Sequence, residues 1–359
     1  MPNPAAIGVA LVGWGYAAST IHAPLIAATE GLELVGVVSS RHASLPSSLA
    51  PALRQALLGC VWYPDLASML RQPKVQLVVL ATPNDTHFPL AQEALAAGKH
   101  VVIDKPFALT LVQADALIAQ AQITRRLLTV FHNRRWDSDF LEIKQLLADS
   151  RLGRVTHVES RFERFRPQVR LRWRESAQAG AGLWYDLGPH LLDQALQLFG
   201  EPESIQLHTQ HQREGALSDD WFHALLRYPR HCMVLQASML AAYPGPRWTV
   251  HGTQGSYLRP HGDSQEEALK AGRWPASDAY WGQGDAPGGL TLVQPDGVLH
   301  QQTPGASTGD WRQFYTQLAS ALSGRSGEPP VTALQARSVM DWLERGWRSA
   351  PGCTHQFSS

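Results

Sequence analysis

The sequence predicts an α/β protein in two parts, a doubly wound parallel sheet followed by an α+β domain with a large, mostly antiparallel sheet. In the first third of the chain, continuous apolar runs alternate with helical patterns, which is typical of parallel strands covered by helices on both faces. Beyond residue 150, several runs alternate apolar and polar residues with few helices between them, which favours antiparallel strands with one open face. The expected domains are residues 1–131 and 132–359.

The elements of the first part follow from short runs rich in β-branched residues. Strands are predicted at 7–12, 34–38, 77–81, 100–103 and 127–131, with helices at 89–97, 111–121 and 136–148. In the second part, strands are predicted at 155–162, 205–210, 222–228, 233–239, 248–250, 256–259 and 290–294, with helices at 183–199, 311–322 and 333–348. The segment 260–289 is rich in Gly, Pro and Asp, so we expect it to be a loop or a poorly ordered excursion.

Length and composition restrict the class of protein. A chain of 359 residues suits two domains, and its 31 basic and 31 acidic residues create no net charge that favours nucleic acid or an anionic membrane. Cys60, Cys232 and Cys353 form no CxxC pair, which predicts a reducing, cytoplasmic location. No apolar stretch reaches ~18 residues and no basic segment precedes the first apolar run, so neither a membrane span nor a signal peptide is expected.

A glycine-containing loop directly follows the first predicted strand. Gly13, Gly15 and Ala18 fit the pattern G-x-G-x-x-G/A. The first glycine permits a tight turn, the second lets the backbone approach a pyrophosphate, and the small third residue allows close packing of the next helix. With a strand before it and a helix after it, the loop predicts a Rossmann domain whose dinucleotide site includes Gly13, Gly15, Tyr16, Ala17 and Ala18. A glycine turn in an unrelated α/β protein is the alternative.

The end of the second strand bears on the choice of dinucleotide. A site that prefers NAD usually places a carboxylate there, but Glu33 precedes the strand. Ser39, Ser40 and Arg41 follow it instead, and hydroxyls with a guanidinium suit a 2′-phosphate. NADP is therefore favoured over NAD, the alternative being that Arg41 is only a solvated loop charge.

Polar residues also follow the later strands. The turn after the third strand is placed to meet the ribose or nicotinamide, through Thr82, Pro83, Asn84 and His87. Turn formation alone would also explain its proline and asparagine. The next strand ends in Asp104-Lys105-Pro106, at the same edge of the sheet, where a surface lysine is the alternative.

A third block lies on the predicted helix 183–199. Asp186 and His190 are four residues apart and so share one helical face. A helix-start aspartate with a buried core histidine is the alternative. No metal is expected, because no third ligand accompanies the pair. His132, Asn133 and Arg134, at the end of the fifth strand, are placed to border the same pocket.

These blocks, in this order, resemble the glucose–fructose oxidoreductase/inositol dehydrogenase (Gfo/Idh/MocA) family over nearly the whole chain. The motifs are the glycine loop, Thr-Pro-Asn-x-x-His, Asp104-Lys105-Pro106-Phe107 and Asp186-x₃-His190. The residues around Asn133 and Tyr185 resemble the branch that contains NADP-dependent scyllo-inositol dehydrogenase. Asp104 stands where the family more often has Glu, a change expected at a ribose contact.

The resemblance implies an oxidoreductase that moves a hydride between a nicotinamide and a secondary alcohol or ketone of a cyclic polyol or sugar, such as scyllo-inositol/inosose. His190 is then the general base, with an unperturbed imidazole pKa of ~6.5, and Lys105 stabilises alkoxide charge. Asp186 orients His190 or binds a neighbouring hydroxyl. Lys105, Arg134, Tyr185, Asp186 and His190 are the expected substrate contacts, and Asn133, Asp104 and Pro106 join the cofactor contacts. The Lys105-Pro106 bond is expected to be cis, as is common in the family.

Three alternatives stay open. The enzyme could reduce another sugar, diol or ketone, or the chain could be a non-catalytic dinucleotide-binding sugar sensor, since the family includes silent relatives. The arginine-rich stretch 161–174 fits an exposed strand and loop or a lid over substrate hydroxyls or phosphate, whereas the balanced total charge disfavours nucleic acid. The open face of the second-domain sheet is the expected homodimer surface.

Overall fold

The computed structural model divides into two compact units, and it describes residues 6–39, 49–284 and 287–350. One unit comprises Met1–Asn133, Ser264–Trp281 and Asp310–Arg337; the other comprises Arg134–Asp263, Gly282–Gly309 and Ser338–Ser359. We call them the first and second unit. Two segments from the later part of the chain therefore belong to the first unit.

The strands are numbered in chain order. They are β1 (Ile7–Val12), β2 (Leu32–Val38), β3 (Val61–Tyr63), β4 (Leu77–Leu80), β5 (His100–Ile103), β6 (Leu128–Val130), β7 (Val155–Glu163), β8 (Ser204–Gln210), β9 (Trp221–Arg227), β10 (Cys232–Ser238), β11 (Trp248–Gly252), β12 (Gly255–Arg259), β13 (Gly289–Val293) and β14 (Leu299–Gln302).

The helices are numbered in the same way. They are α1 (Ala23–Ala27), α2 (Pro51–Leu57), α3 (Leu66–Leu70), α4 (His87–Ala96), α5 (Leu111–Thr124), α6 (Ser138–Ala148), α7 (Leu183–Phe199), α8 (Gln265–Lys270), α9 (Arg312–Leu322) and α10 (Ala333–Ser349). A π-helical segment, Ala17–His22, runs directly into α1.

The first unit confirms the predicted doubly wound sheet. Its six strands lie in the order β3-β2-β1-β4-β5-β6 and every neighbouring pair is parallel. The central strands are apolar throughout because helices cover both faces; Val9, Val79 and Val102 have no solvent exposure. The chain leaves β1 towards β2 on one side and β4 lies on the other, so the switch point where such sheets bind ligands is at the end of β1.

The segment 260–289 is not a loop throughout, and that expectation is wrong for its first part. It contains α8, whose Ala268 and Leu269 are buried in the first unit. Gln265 is fully buried, and its side-chain oxygen accepts a hydrogen bond from the Trp311 amide at 2.7 Å. A contact between segments so far apart in sequence stabilises this short helix, and local composition cannot reveal it.

The second unit is built on eight strands in the order β14-β13-β12-β11-β7-β10-β9-β8. All pairs are antiparallel except β7 with β10, which confirms the prediction of a mostly antiparallel sheet. Helix α7 packs on β9 and β10, where the rings of Trp184 and Phe222 lie edge to face at 4.9 Å. Along β9, buried residues alternate with half-buried ones, so the opposite face of the sheet is open within this unit.

Within the described ranges, no helix combines the length and apolar character needed to cross a membrane.

Candidate active site

The carboxyl ends of five parallel strands, β2, β1, β4, β5 and β6, form one edge in the first unit. Beyond the strands, main-chain hydrogen bonds of 2.9–3.0 Å continue from each strand end to its neighbour. The donor–acceptor pairs are Gly13 N to Val38 O, Ala81 N to Val12 O, Asp104 N to Leu80 O, and Phe131 N to Ile103 O. The loops that carry the predicted cofactor contacts therefore start side by side, as the parallel topology requires.

The geometry of the glycine loop fits a bound pyrophosphate. Gly13 has φ of +90°, and a Cβ atom there would lie 2.7 Å from the carbonyl oxygen of Ala81. A Cβ on Gly15 would meet no heavy atom within 4 Å, so the space above this glycine is open to a ligand. Ala18 is fully buried, as expected of the small third residue. The loop thus meets the steric requirements of the motif at all three positions.

The predicted cofactor residues next to the glycine loop and after β2 have partners within the first unit. The Tyr16 hydroxyl donates to Glu266 Oε1 at 2.8 Å, and Ala17 is half-buried. At the end of β2, the Ser39 amide donates to the Tyr63 carbonyl oxygen at 3.1 Å. Ser40 and Arg41 lie outside the described residues, so their predicted contact with a 2′-phosphate stays a prediction.

The turn after β4 is fixed by hydrogen bonds. Thr86 Oγ1 donates to the Pro83 carbonyl oxygen at 2.6 Å and lies 2.6 Å from Thr82 Oγ1, and Pro83 leads into a 3₁₀ turn that buries Asn84. His87 is fully buried, with Nδ1 2.8 Å from the Pro106 carbonyl oxygen and Nε2 3.1 Å from that of Thr82. Burial lowers the pKa of His87 and favours the neutral ring, which can donate through one nitrogen only. His87 therefore links the loops after β4 and β5, and its direct contact with a cofactor stays a prediction.

The loop after β5 places the candidate lysine at the same edge. Asp104 Oδ1 accepts a hydrogen bond from the Lys105 amide at 2.9 Å. The Lys105-Pro106 peptide bond is cis, as the family resemblance implied. Phe107, directly after it, is buried and secures the loop in the core. The first unit thus brings together the glycine loop, the Thr82 turn and Lys105, while Asn133 is buried after β6.

Helix α7 of the second unit has the predicted bounds and carries Asp186 and His190 one turn apart on one face. Its start depends on a different loop. The Asp219 carboxylate accepts from the Trp184 amide at 2.7 Å, and a Cβ on Gly182, where φ is +95°, would lie 2.0 Å from Asp219 Oδ1. Burial raises the pKa of Asp219 to about 7, against the opposing effect of its hydrogen bonds.

Buried ion pairs hold the middle of α7. Asp193 receives Arg135 Nε at 2.9 Å and Nη2 at 2.6 Å, with both side chains less than 10 % exposed. Arg134, an expected substrate contact, places Nη1 3.1 Å from Asp137 Oδ2. The Gln194 side chain donates through Nε2 to the Arg134 carbonyl oxygen at 3.0 Å. These contacts orient the face that bears His190, which is itself 7 % exposed.

One arginine of the stretch 161–174 lies beside the candidate catalytic carboxylate. Arg174 Nε is 3.4 Å from Asp186 Oδ1, and its guanidinium stacks 4.3 Å from the centre of the Trp173 ring. The sequence flagged the stretch but not this pairing. Tyr185 is almost fully buried and packs edge to face against Trp347, and burial raises its pKa far above the usual value. Its predicted substrate contact stays a prediction.

Sequence reasoning missed two groups of residues. Asp219 and the Arg135–Asp193 pair support α7, but nothing in the sequence links positions 35 or 58 residues apart. His22 and Tyr315 form a buried hydrogen bond in the first unit; a histidine in the helix that follows a dinucleotide loop was the available signal. In the described part of the chain, no group of three His, Cys, Asp or Glu side chains could hold a metal ion.

Together, a doubly wound sheet with an open glycine loop and a lysine at a strand end define a dinucleotide-binding oxidoreductase. Family models agree: residues 7–132 match the oxidoreductase family with an NAD-binding Rossmann fold, and residues 140–258 match the GFO/IDH/MocA C-terminal domain. The chain belongs to the Gfo/Idh/MocA family of oxidoreductases, as its sequence motifs predicted.

Individual relatives span almost the whole chain. The chain is 47 % identical over 345 residues to YdgJ of Escherichia coli (strain K12), named an uncharacterized oxidoreductase, with 96 % of each chain covered. It is 32 % identical to IolW of Bacillus subtilis (strain 168), named scyllo-inositol 2-dehydrogenase (NADP(+)), covering 96 % of this chain and 94 % of that protein. The solved structure of YPO2259 from Yersinia pestis matches with a TM-score of 0.87 and 47 % identity, covering 96 % and 95 % of the two chains.

Proposed function

We propose that this protein is an NADP-dependent dehydrogenase or reductase acting on a secondary alcohol or ketone of a cyclic polyol or sugar. The observation that carries the proposal is the pair Asp186 and His190 on one face of α7, in a chain whose first unit has an open dinucleotide loop and Lys105 at a strand end. A proton acceptor, an orienting carboxylate and a cation are the groups that alcohol oxidation requires.

Each side chain has a separate task in this proposal. His190 accepts the hydroxyl proton in the oxidative direction and returns it in the reductive one. Asp186 orients the imidazole or binds a neighbouring hydroxyl, and Arg174 lies beside its carboxylate. Lys105 stabilises the negative charge that develops on the substrate oxygen. A nicotinamide dinucleotide, held by the glycine loop, the Thr82 turn and Asp104, supplies the hydride chemistry when bound.

The proposed substrate is scyllo-inositol or its ketone, inosose. The support is the 32 % identity with IolW across nearly the full length of both chains. The alternatives are another sugar, diol or ketone for the same catalytic groups, or a dinucleotide-binding sugar sensor without turnover.

The decisive experiment measures reduced nicotinamide formed by the purified protein from a panel of inositols, aldoses and diols, with NADP and NAD in parallel. Turnover of scyllo-inositol with NADP is the expected result. Turnover of a different panel member would support the proposed reaction but show that scyllo-inositol is not the substrate. Bound cofactor without turnover on any panel member would favour the sensor.

The preference for NADP has its own test. Arg41→Ala should weaken NADPH binding by about 10-fold or more and leave NADH binding nearly unchanged, because one charge-assisted contact to a phosphate contributes about 1.5–3 kcal/mol. Arg71→Ala removes an exposed arginine of the same unit and serves as the control for charge alone. Equal weakening of both cofactors by Arg41→Ala would remove the argument for the 2′-phosphate.

The remaining assignments belong to the same proposal. The first unit is the dinucleotide-binding domain, and the second is the substrate and oligomerisation domain. The open face of its sheet, which includes His157, Glu159 and His223, forms a homodimer surface. Sedimentation of the parent protein and of Leu225→Arg, a half-buried position between His223 and Arg227 on β9, tests this. A parent protein that sediments as a monomer would contradict it.

A further inference from the structure

In the first unit, His22 and Tyr315 form a buried polar pair to which the proposed function assigns no role. His22 ends the π-helical segment behind the glycine loop, and Tyr315 lies on α9, nearly 300 residues later. Both side chains are fully buried. His22 Nδ1 lies 2.5 Å from the Tyr315 hydroxyl oxygen, a short hydrogen bond for a buried pair.

The second ring nitrogen of His22 faces Asp104. Nε2 lies 3.9 Å from Asp104 Oδ1, and within the described residues it has no hydrogen-bond partner. The ring of Phe131 covers His22, with 4.3 Å between ring centres. The imidazole therefore stands between a hydroxyl and a carboxylate in a space closed to solvent, and the carboxylate precedes Lys105.

The protonation of its two neighbours determines which tautomer the His22 ring adopts. Burial lowers the pKa of His22, against the opposing charge of Asp104, and thus favours a neutral imidazole with a single N–H. Burial, with a smaller contribution from Asp104, raises the pKa of Tyr315 well above its usual value, so its hydroxyl keeps its proton. A carboxylate can only accept. The arrangement compatible with all three groups has Tyr315 donating to Nδ1 and Nε2–H pointing towards Asp104 Oδ1, at 3.9 Å and beyond hydrogen-bond distance.

This arrangement assigns the two oxygens of Asp104 different surroundings. Oδ1 accepts from the Lys105 amide at 2.9 Å and faces Nε2–H of His22. The described residues provide no other hydrogen bond to this carboxylate, and its side chain is 12 % exposed. Oδ2 is therefore the oxygen left to accept from a ligand.

We propose that His22 and Tyr315 are positioning residues that hold Asp104 with Oδ1 towards the protein and Oδ2 towards a ribose hydroxyl of the nicotinamide dinucleotide. The proposal rests on the proposed function, because it takes the ligand to be that dinucleotide. In this proposal His22 and Tyr315 contribute to cofactor affinity and take no part in proton transfer with the substrate.

The tautomer can be measured without any cofactor. In ¹⁵N spectra of histidine-labelled protein, with His22 assigned by its disappearance in His22→Gln, we expect Nε2 to carry the proton and Nδ1 to be bare. In Tyr315→Phe the Nδ1 resonance should shift as its hydrogen bond is lost, while the ring packing with Phe131 and Phe314 is kept. A proton on Nδ1 in the parent protein would overturn the proposed orientation.

A double-mutant cycle on NADPH affinity tests the link to the ligand. Tyr315→Phe should raise the Kd by about 3- to 10-fold, the equivalent of one hydrogen bond, and should add nothing to Asp104→Asn, because both act through the Asp104 carboxylate. Thr129→Val is the matched control: its hydroxyl is fully buried in the same unit and donates to the Val331 carbonyl oxygen at 2.7 Å, away from Asp104. It should leave the Kd unchanged.

An unchanged Kd in Tyr315→Phe, an effect that adds fully to that of Asp104→Asn, or an equal loss in Thr129→Val would each overturn the proposal. A failure of the proposed function is distinguishable. If the parent protein binds neither NADPH nor NADH, the ribose contact fails together with the proposed function, while the ¹⁵N spectra still decide the orientation of the Tyr315–His22–Asp104 chain.

Discussion

The strand edge of the first unit and helix α7 of the second unit are built on different principles. At the strand edge, main-chain hydrogen bonds between parallel strands align the loops, and the glycine loop contributes backbone. On α7, the functional side chains depend on other side chains, because Asp219 caps the helix start and Arg135 holds its middle through Asp193. Substitutions should therefore affect the two regions differently. The strand edge should respond to added atoms, and α7 to lost charges.

The largest effect should come from removing a charge behind α7. Asp193→Ala leaves the buried Arg135 without the carboxylate that receives two of its nitrogens, which should lower the free energy of unfolding by about 3–5 kcal/mol. Asp115→Ala is the matched control, because it removes the partner of Arg337 from an exposed pair in the first unit. The control should change stability by less than about 1 kcal/mol.

Urea unfolding of both variants measures the difference. If both variants lost the same free energy of unfolding, burial of the Arg135–Asp193 pair would contribute no extra stability. The expected difference between the two regions would then not hold for stability.

The pH dependence of stability should differ between Asp219, at the start of α7, and Asp65, at the start of α3. Asp219 has a pKa of about 7 when folded and ~3.9 when unfolded, so the folded protein keeps a proton that the unfolded chain has lost. The free energy of unfolding should fall as pH rises from about 4 to about 7, by on the order of 4 kcal/mol for about three pKa units at 1.36 kcal/mol each. Asp219→Asn should abolish this slope, so that the variant exceeds the parent protein in stability at pH 8 but not at pH 5.

Asp65→Asn provides the contrast in the first unit. Asp65 is the N-cap of α3, and its side chain accepts from the Ser68 amide, which lowers its pKa. A lowered carboxyl pKa contributes stability that is lost only as pH falls through the folded value, so this variant should keep the parent's slope between pH 5 and pH 8. The same slope in Asp219→Asn as in Asp65→Asn would show that Asp219 does not titrate in this range.

His190→Ala should lower turnover by about 100-fold or more while NADPH binding persists, because it removes the proposed base from α7 and leaves the first unit intact. Steady-state kinetics with the substrate found in the panel, together with a fluorescence titration of NADPH, measure the two quantities separately. Parental turnover in the variant would show that another group is the base.

The two regions also explain what the sequence could predict. Gly13, Lys105 and the pair Asp186 and His190 were identifiable because each belongs to a local pattern on a regular element. The cap of α3 is equally local, since Asp65 and Ser68 are three residues apart. Asp219, Asp193 and His22 act across large sequence separations, and neither periodicity nor composition records such contacts. The same holds for α8 and α9, whose place in the first unit follows from burial of side chains such as Gln265 and Tyr315.

The smallest effects should separate the two glycines of the loop. Gly13→Ala places a Cβ at φ of +90° and 2.7 Å from the Ala81 carbonyl oxygen, so stability should fall by about 1–2 kcal/mol and NADPH binding should weaken with it. Gly15→Ala adds a Cβ that meets no protein atom within 4 Å, so stability should change by less than about 1 kcal/mol. NADPH binding should still weaken, because the methyl group enters the space that the pyrophosphate needs. Thermal unfolding and NADPH titration of both variants distinguish the cases, and parental binding by Gly15→Ala would mean that the phosphates lie elsewhere.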